Sequence, residues 1–231
     1  MKINKILAVL LALFLPYIIL MAGVRLIMTP AFPAFEYNRA NFPLDPYGFS
    51  LQERTKWSEY AVSYLTNDKE IDYLGNLQNA AGQKMFNPDE LSHMEDVKQV
   101  VMSTSIAWYI VGGISIAILL WFLIMKQWSS IRKAVNAGGW ITIGLISALL
   151  IFLIVSFDTL FDRFHRIFFA DGTWTFDQST TLIRLFPFEF WRDAFIFVIA
   201  FSLIVGILLV LVTRKRKLKI ETQSESVSYS A

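Results

Sequence analysis

Two histidines, His93 and His165, are the side chains of this sequence best suited to exchanging protons near neutral pH. Each has a carboxylate at helical spacing, Asp96 at i+3 from the first and Asp162 at i−3 from the second. On a helix that spacing puts both members of a pair on one face, where a carboxylate can fix an imidazole tautomer and stabilise an imidazolium. Such pairs also occur as plain surface salt links, and a lone interfacial histidine is more often a satisfied polar residue than a catalyst. Arg163 and Arg166 flank His165, and Arg25 sits toward one end of an apolar run, where it either snorkels to headgroups, the commoner use, or binds a carbonyl or phosphate. There is no cysteine, which removes thiolate catalysis, disulfides, cysteine-type zinc sites and iron–sulfur ligation. Gly-x-Ser-x-Gly, phosphate-loop and His-Glu-x-x-His patterns are missing, and no close ligand pair announces a metal, so neither a cofactor nor a metal is expected.

The elements that must position these groups are set by a bilayer. A composition 55% apolar and 15% aromatic is too apolar for an ordinary soluble domain. Net charge is only +2 and the basic residues form no phosphate-tracking stripe, so no nucleic-acid partner is expected. Crossing the hydrocarbon takes roughly 20 apolar residues. Four stretches reach that length: Ile6 to about Ile27, about Ile106 to Met125, about Gly139 to Phe157, and about Ala194 to Val212. The first follows Lys2 and Lys5, but it is longer than a signal-peptide core and lacks a clean cleavage site, so it is expected to be retained.

Loop charges give the orientation. Lys126, Arg132 and Lys133 join spans two and three without an acid, and Arg214, Lys215, Arg216, Lys217 and Lys219 follow span four; both segments are expected inside. Met28 to Val100 and Asp158 to Asp193 are then outside, the former carrying more acids than bases. The expected organisation is a four-helix membrane domain over residues 1–213, with outer cap segments at about 28–104 and 158–193, and a basic, then disordered tail over 214–231. In the cap, prolines 30, 33, 43 and 46 among aromatics predict an extended or turning loop from Thr29 to Tyr47. Ser50 with Glu53 predicts a capped amphipathic helix, and Asn87, Pro88, Asp89 and Glu90 predict a second helix that carries His93 toward span two. Asp171–Gly172 before Trp174 and Phe176 offers a turn for a short hairpin. The fold class is therefore an all-α membrane protein with a small, mainly helical cap.

Three pieces carry a family resemblance: Leu91-Ser92-His93-Met94-Glu95-Asp96-Val97 before span two, Phe164-His165-Arg166-Ile167-Phe168-Phe169 after span three, and Trp174 to Asp193 before span four. In that order, and between those spans, they resemble the lipoprotein intramolecular transacylases (Lit) of Gram-positive bacteria. The resemblance implies a multi-pass enzyme of the bacterial plasma membrane, with cytoplasmic termini and an extracytoplasmic cap. It would move an acyl chain from the sn-2 ester of a diacylglyceryl lipoprotein to the amino group of that molecule's N-terminal cysteine. The family's two catalytic histidines fall on His93 and His165; Asp96, Asp162, Arg163 and Arg166 are neighbours with no role carried over. Partners implied are diacylglyceryl-modified lipoproteins and membrane lipids, with no oligomeric state specified. Two other readings stand beside it: a membrane lipid or lipoprotein ester hydrolase using the same histidines, and a non-catalytic membrane protein whose cap binds an extracellular partner.

Overall fold

The computed structural model describes residues 2–214; the expectations for Lys215, Arg216, Lys217, Lys219 and the polar tail lie outside the described residues. The chain runs α1 (Lys2–Ile27), α2 (Ala31–Tyr37), α3 (Leu51–Thr66), α4 (Asp72–Gly75), α5 (Pro88–Ile124), α6 (Trp128–Val155), α7 (Phe157–Phe168), α8 (Thr181–Leu185) and α9 (Phe188–Thr213). Four of these, α1, α5, α6 and α9, are long and apolar enough to cross a membrane.

The 37 residues of α5 rise about 55 Å, against about 30 Å of hydrocarbon. Its charged first turns, up to Lys98, therefore stand clear of the span, and His93 lies among them. The N-terminus forms where the sequence predicts it: Glu90 N–H donates to Asn87 Oδ1 (2.9 Å) and Asn87 N–H to Glu90 Oε2 (2.8 Å). The same reciprocal cap opens α3, between Ser50 and Glu53. Among the spans, α6 is clasped between α1 and α9 through adjacent glycines. A Cβ at Gly138 would lie 3.0 Å from the Ala12 carbonyl on α1, and one at Gly139 would lie 3.0 Å from the Gly206 carbonyl on α9. Close backbone approach replaces the hydrophobic drive that helices lack in lipid.

Both outer segments build one cap. Its core gathers Trp57, Ala61 and Tyr64 of α3, Leu74 of α4, Met94 of α5, and Leu182 and Leu185 of α8. Arg184 bonds Asp45 at 2.8 Å, while buried Arg54 donates to the carbonyls of Arg184 (2.9 Å) and Pro43 (2.7 Å). Polar groups taken from water are thus paired across segments distant in sequence.

Two expectations need correction. Part of the proline-rich stretch from Thr29 to Tyr47 is helical: α2 begins beside Pro30 and holds Pro33. Both prolines fall where the first-turn N–H groups have no partner within the helix, so neither breaks it. The hairpin at Asp171–Gly172 does not form. Gly172 does turn, at φ +85°, but the residues around it are not in strands, and the isolated bridge joins Gln78 to Lys84 elsewhere.

Candidate active site

His93 occupies the second turn of α5, three residues after its capping Glu90. His165 sits on α7, a helix the apolar run of span three did not foretell. The chain leaves α6 at Ser156, whose hydroxyl accepts from Thr159 N–H and starts α7. Phe157, Leu160, Phe161, Phe164 and Phe168 then recur at helical spacing while Asp158, Asp162, Arg163 and Arg166 take the other side. Such a helix suits the membrane surface. His165 falls four residues after Phe161 and is buried at 9% exposure, although charged residues adjoin it in sequence.

The two imidazoles face each other with centroids 6.5 Å apart and planes 24° from parallel. Aromatic rings enclose them. Trp174 stacks on His165 at 4.7 Å, Phe161 lies 4.1 Å from it, and Phe169 and Phe176 meet His93 edge-on at 5.1 and 5.5 Å. His165 Nδ1 lies 2.8 Å from the Phe161 carbonyl oxygen. A carbonyl only accepts, so the neutral ring carries its proton on Nδ1 and its lone pair on Nε2. Burial lowers the pKa of both rings; that of His93 is pushed down to about 4, with the His165 charge adding to the effect and Asp96 opposing it. Both are neutral at neutral pH and able to accept a proton.

Two polar atoms of this enclosure, His93 Nδ1 and Trp174 Nε1, are buried without a hydrogen-bond partner among the described residues. Buried polar groups are rarely left so, and functional sites are where exceptions gather. The segment carrying Trp174 is tied at both ends. Arg166 bridges Asp162 (2.8 Å) and Asp171 (2.6 Å), fixing the turn after α7. At the far end, the Glu90 carboxylate, 1% exposed, accepts from Leu182 N–H at 2.7 Å, and the Thr181 hydroxyl donates to the Met85 carbonyl. Glu90 thereby locks the start of α8 to the start of α5.

Of the residues singled out from sequence, the structure brings His93 and His165 together. Asp96 and Asp162 reach them only as nearby charges: Asp162 is engaged by Arg166, and neither carboxylate hydrogen-bonds an imidazole. Arg166 acts on the loop, while Arg163 is exposed and makes no ion pair among the described residues. Arg25 lies elsewhere. It donates to Ser105 Oγ (2.9 Å) between Trp108 and Tyr109, and Ser105 is about 18 Å along α5 from His93. Sequence reasoning missed Trp174, Phe161, Phe176 and the second role of Glu90. The stretch from Trp174 to Asp193, rich in aromatics, hinted at Trp174 and Phe176 alone.

A family model described as lipoprotein intramolecular transacylase Lit matches residues 9–191. An uncharacterized protein of Aquifex aeolicus (strain VF5) is 30% identical over 209 residues, spanning 90% of this chain and 93% of that one. Among solved structures, the membrane-integral lipoprotein intramolecular transacylase Lit from Bacillus cereus superposes with a TM-score of 0.75 at 19% identity, covering 91% of this chain and 94% of the other. A second structure of that protein, bearing a histidine-to-arginine substitution, gives 0.70 at 19% identity over 92% and 91% of the two chains. These structures share the fold, four spans and cap together.

Proposed function

This chain belongs to the Lit family of lipoprotein intramolecular transacylases and is a multi-pass membrane acyltransferase; from that premise we propose the reaction and the residues that carry it. The sn-2 acyl chain of a diacylglyceryl lipoprotein moves to the amino group of the same molecule's N-terminal cysteine, leaving a lyso-form lipoprotein. The observation that supports this reading is the pair of neutral, facing imidazoles inside an aromatic enclosure. An ester becomes an amide, so no external energy source is required. Both reacting groups belong to one substrate, and holding them in attack geometry can supply effective molarities of roughly 10⁵ to 10⁸ M.

In the proposed mechanism His165 Nε2 is the base, because the Phe161 carbonyl holds the proton on Nδ1. The amine nitrogen attacks the acyl carbon, and the imidazole takes the proton that nitrogen loses. A C–N bond forms and the carbonyl oxygen becomes an oxyanion, toward which the unpartnered Trp174 Nε1–H donates. Collapse breaks the bond from acyl carbon to sn-2 oxygen, and that oxygen receives the proton through the histidine pair. Counted from the neutral amine, the proton leaving nitrogen is the one gained by the glyceryl oxygen. The pair holds one proton at a time, since charge on His165 disfavours charge on His93. The aromatic walls keep water, the competing nucleophile, from the ester.

Purified protein given a diacylglyceryl lipopeptide should yield a product N-acylated and singly O-acylated at the cysteine, read by mass spectrometry. Turnover should persist with a chelator and without nucleotide or added lipid. Free fatty acid would favour the hydrolase, and unchanged lipopeptide the binding protein. Activity lost to the chelator and restored by stoichiometric metal would make the histidines ligands instead.

The proposed orientation puts the cap outside the cell, because Lys126, Arg132 and Lys133 crowd the opposite end of α5 and α6 with no acid among them. The chain lacks cysteine, so single cysteines can report it. In intact cells an impermeant thiol reagent should label Thr175→Cys and spare Ser129→Cys, both at exposed positions. The reverse pattern would place the histidines on the cytoplasmic side.

A further inference from the structure

The end of the bundle remote from the histidines holds a cleft of about 820 Å³ between α6 and α9. It runs along the contact between those two helices. At Gly139 and Gly206 the two backbones come so close that a Cβ on either would meet the other's carbonyl at 3.0 to 3.4 Å. From that contact the cleft extends toward the start of α6 and the end of α9. Arg132, Lys133 and Arg214 stand at that opening, and no acid among the described residues lines the cleft. None of the three forms an ion pair among the described residues. The walls are apolar and outward-facing: Trp140, Ile207 and Leu211 are 59%, 45% and 57% exposed. Polar lining is confined to the charged end, where Asn136 Nδ2 donates to Thr213 Oγ1 at 2.9 Å.

We propose that this cleft is a binding site for one anionic phospholipid, its phosphate held by Arg132, Lys133 and Arg214 and its acyl chain lying along Trp140, Ile207 and Leu211. The chemistry fits that occupant. Three cations with no counter-charge among the described residues call for an anion, and basic pockets between membrane helices bind anionic headgroups. The continuous apolar wall below them calls for a ligand with a tail, which a soluble anion lacks. A zwitterionic lipid fits the wall but brings its own cation to the basic opening. The site lies at the other end of the spans from the substrate, so it adds a lipid contact that the acyl transfer itself does not require.

Native mass spectrometry of the full chain in mild detergent tests this, with separate titrations of dioleoyl phosphatidylglycerol, dioleoyl phosphatidylcholine and inorganic phosphate. The expected result is one phosphatidylglycerol retained per chain, with at least about 10-fold preference over phosphatidylcholine and no retention of phosphate. The Arg132→Gln, Lys133→Gln, Arg214→Gln variant should lose that preference while its lipopeptide turnover stays unchanged. Equal retention of the two lipids by the unaltered protein would overturn the proposal without recourse to any variant. So would undiminished phosphatidylglycerol binding by the triple variant, or retention of phosphate alone.

Discussion

Folded protein with His165→Asn should turn over diacylglyceryl lipopeptide at least about 10²-fold more slowly than the unaltered enzyme, the low end expected for a positioned acid or base. Asparagine keeps a polar amide of similar reach but cannot exchange a proton near neutrality. His93→Asn should cost a similar factor, because its ring faces His165 at 6.5 Å inside the same aromatic enclosure. If the two act as one unit, the double replacement should cost little more than the worse single one. The pH profile gives a second reading of the same claim. Burial lowers both pKa values, so the neutral, active pair should persist below pH 6.5 and be lost only as pH falls through the lowered values, about 4 for His93. The histidines' contribution to the acid limb of kcat should therefore lie below the ordinary histidine value of about 6.5, apart from the titration of the substrate amine at about 8. Near-normal turnover by either folded variant would remove that residue from the mechanism.

The parts of this site that sequence discloses are those fixed by local rules. Asn87, Pro88 and Glu90 announce the start of α5 because a helix N-terminus leaves N–H groups that short polar side chains satisfy. The four spans are legible because hydrocarbon thickness dictates run length. What escapes is whatever depends on a distant partner. Glu90 reads as an ordinary capping residue, yet its second oxygen accepts from Leu182 on α8, a contact no spacing encodes. Asp162 at i−3 reads as a partner for His165, but Arg166, four residues after it, takes that carboxylate, and Asp171 holds the same guanidinium in place. Pro33 reads as a helix breaker because its position within the first turn of α2 is visible only once the turn is known to begin at Ala31. The two histidines resemble each other in sequence, each with a helical acid. In the structure one has its tautomer set by a backbone carbonyl and the other keeps a buried Nδ1 without a partner.

Replacing Trp174 with Phe should lower kcat by about 10² to 10³-fold while leaving KM within a few-fold, the pattern for a donor engaged mainly in the transition state. The indole N–H is buried and unpaired, an arrangement that costs free energy unless a ligand completes it. An oxyanion forming beside His165, on which the indole stacks at 4.7 Å, is the acceptor the proposed reaction supplies. Phenylalanine keeps an aromatic face but is smaller, so a lost stack could mimic a lost hydrogen bond. Incorporating 3-benzothienylalanine at position 174 separates them, because sulfur replaces N–H while the fused ring keeps its area. If the N–H acts on the oxyanion, the benzothienyl protein should be slowed about as much as Trp174→Phe, with the acid limb of its pH profile unmoved because the His165 environment is preserved. If the indole serves only as a wall, the benzothienyl protein should run at the normal rate and the phenylalanine variant alone should be impaired. That second outcome would leave the oxyanion without a donor from Trp174, while the assignment of His93 and His165 would stand on its own test.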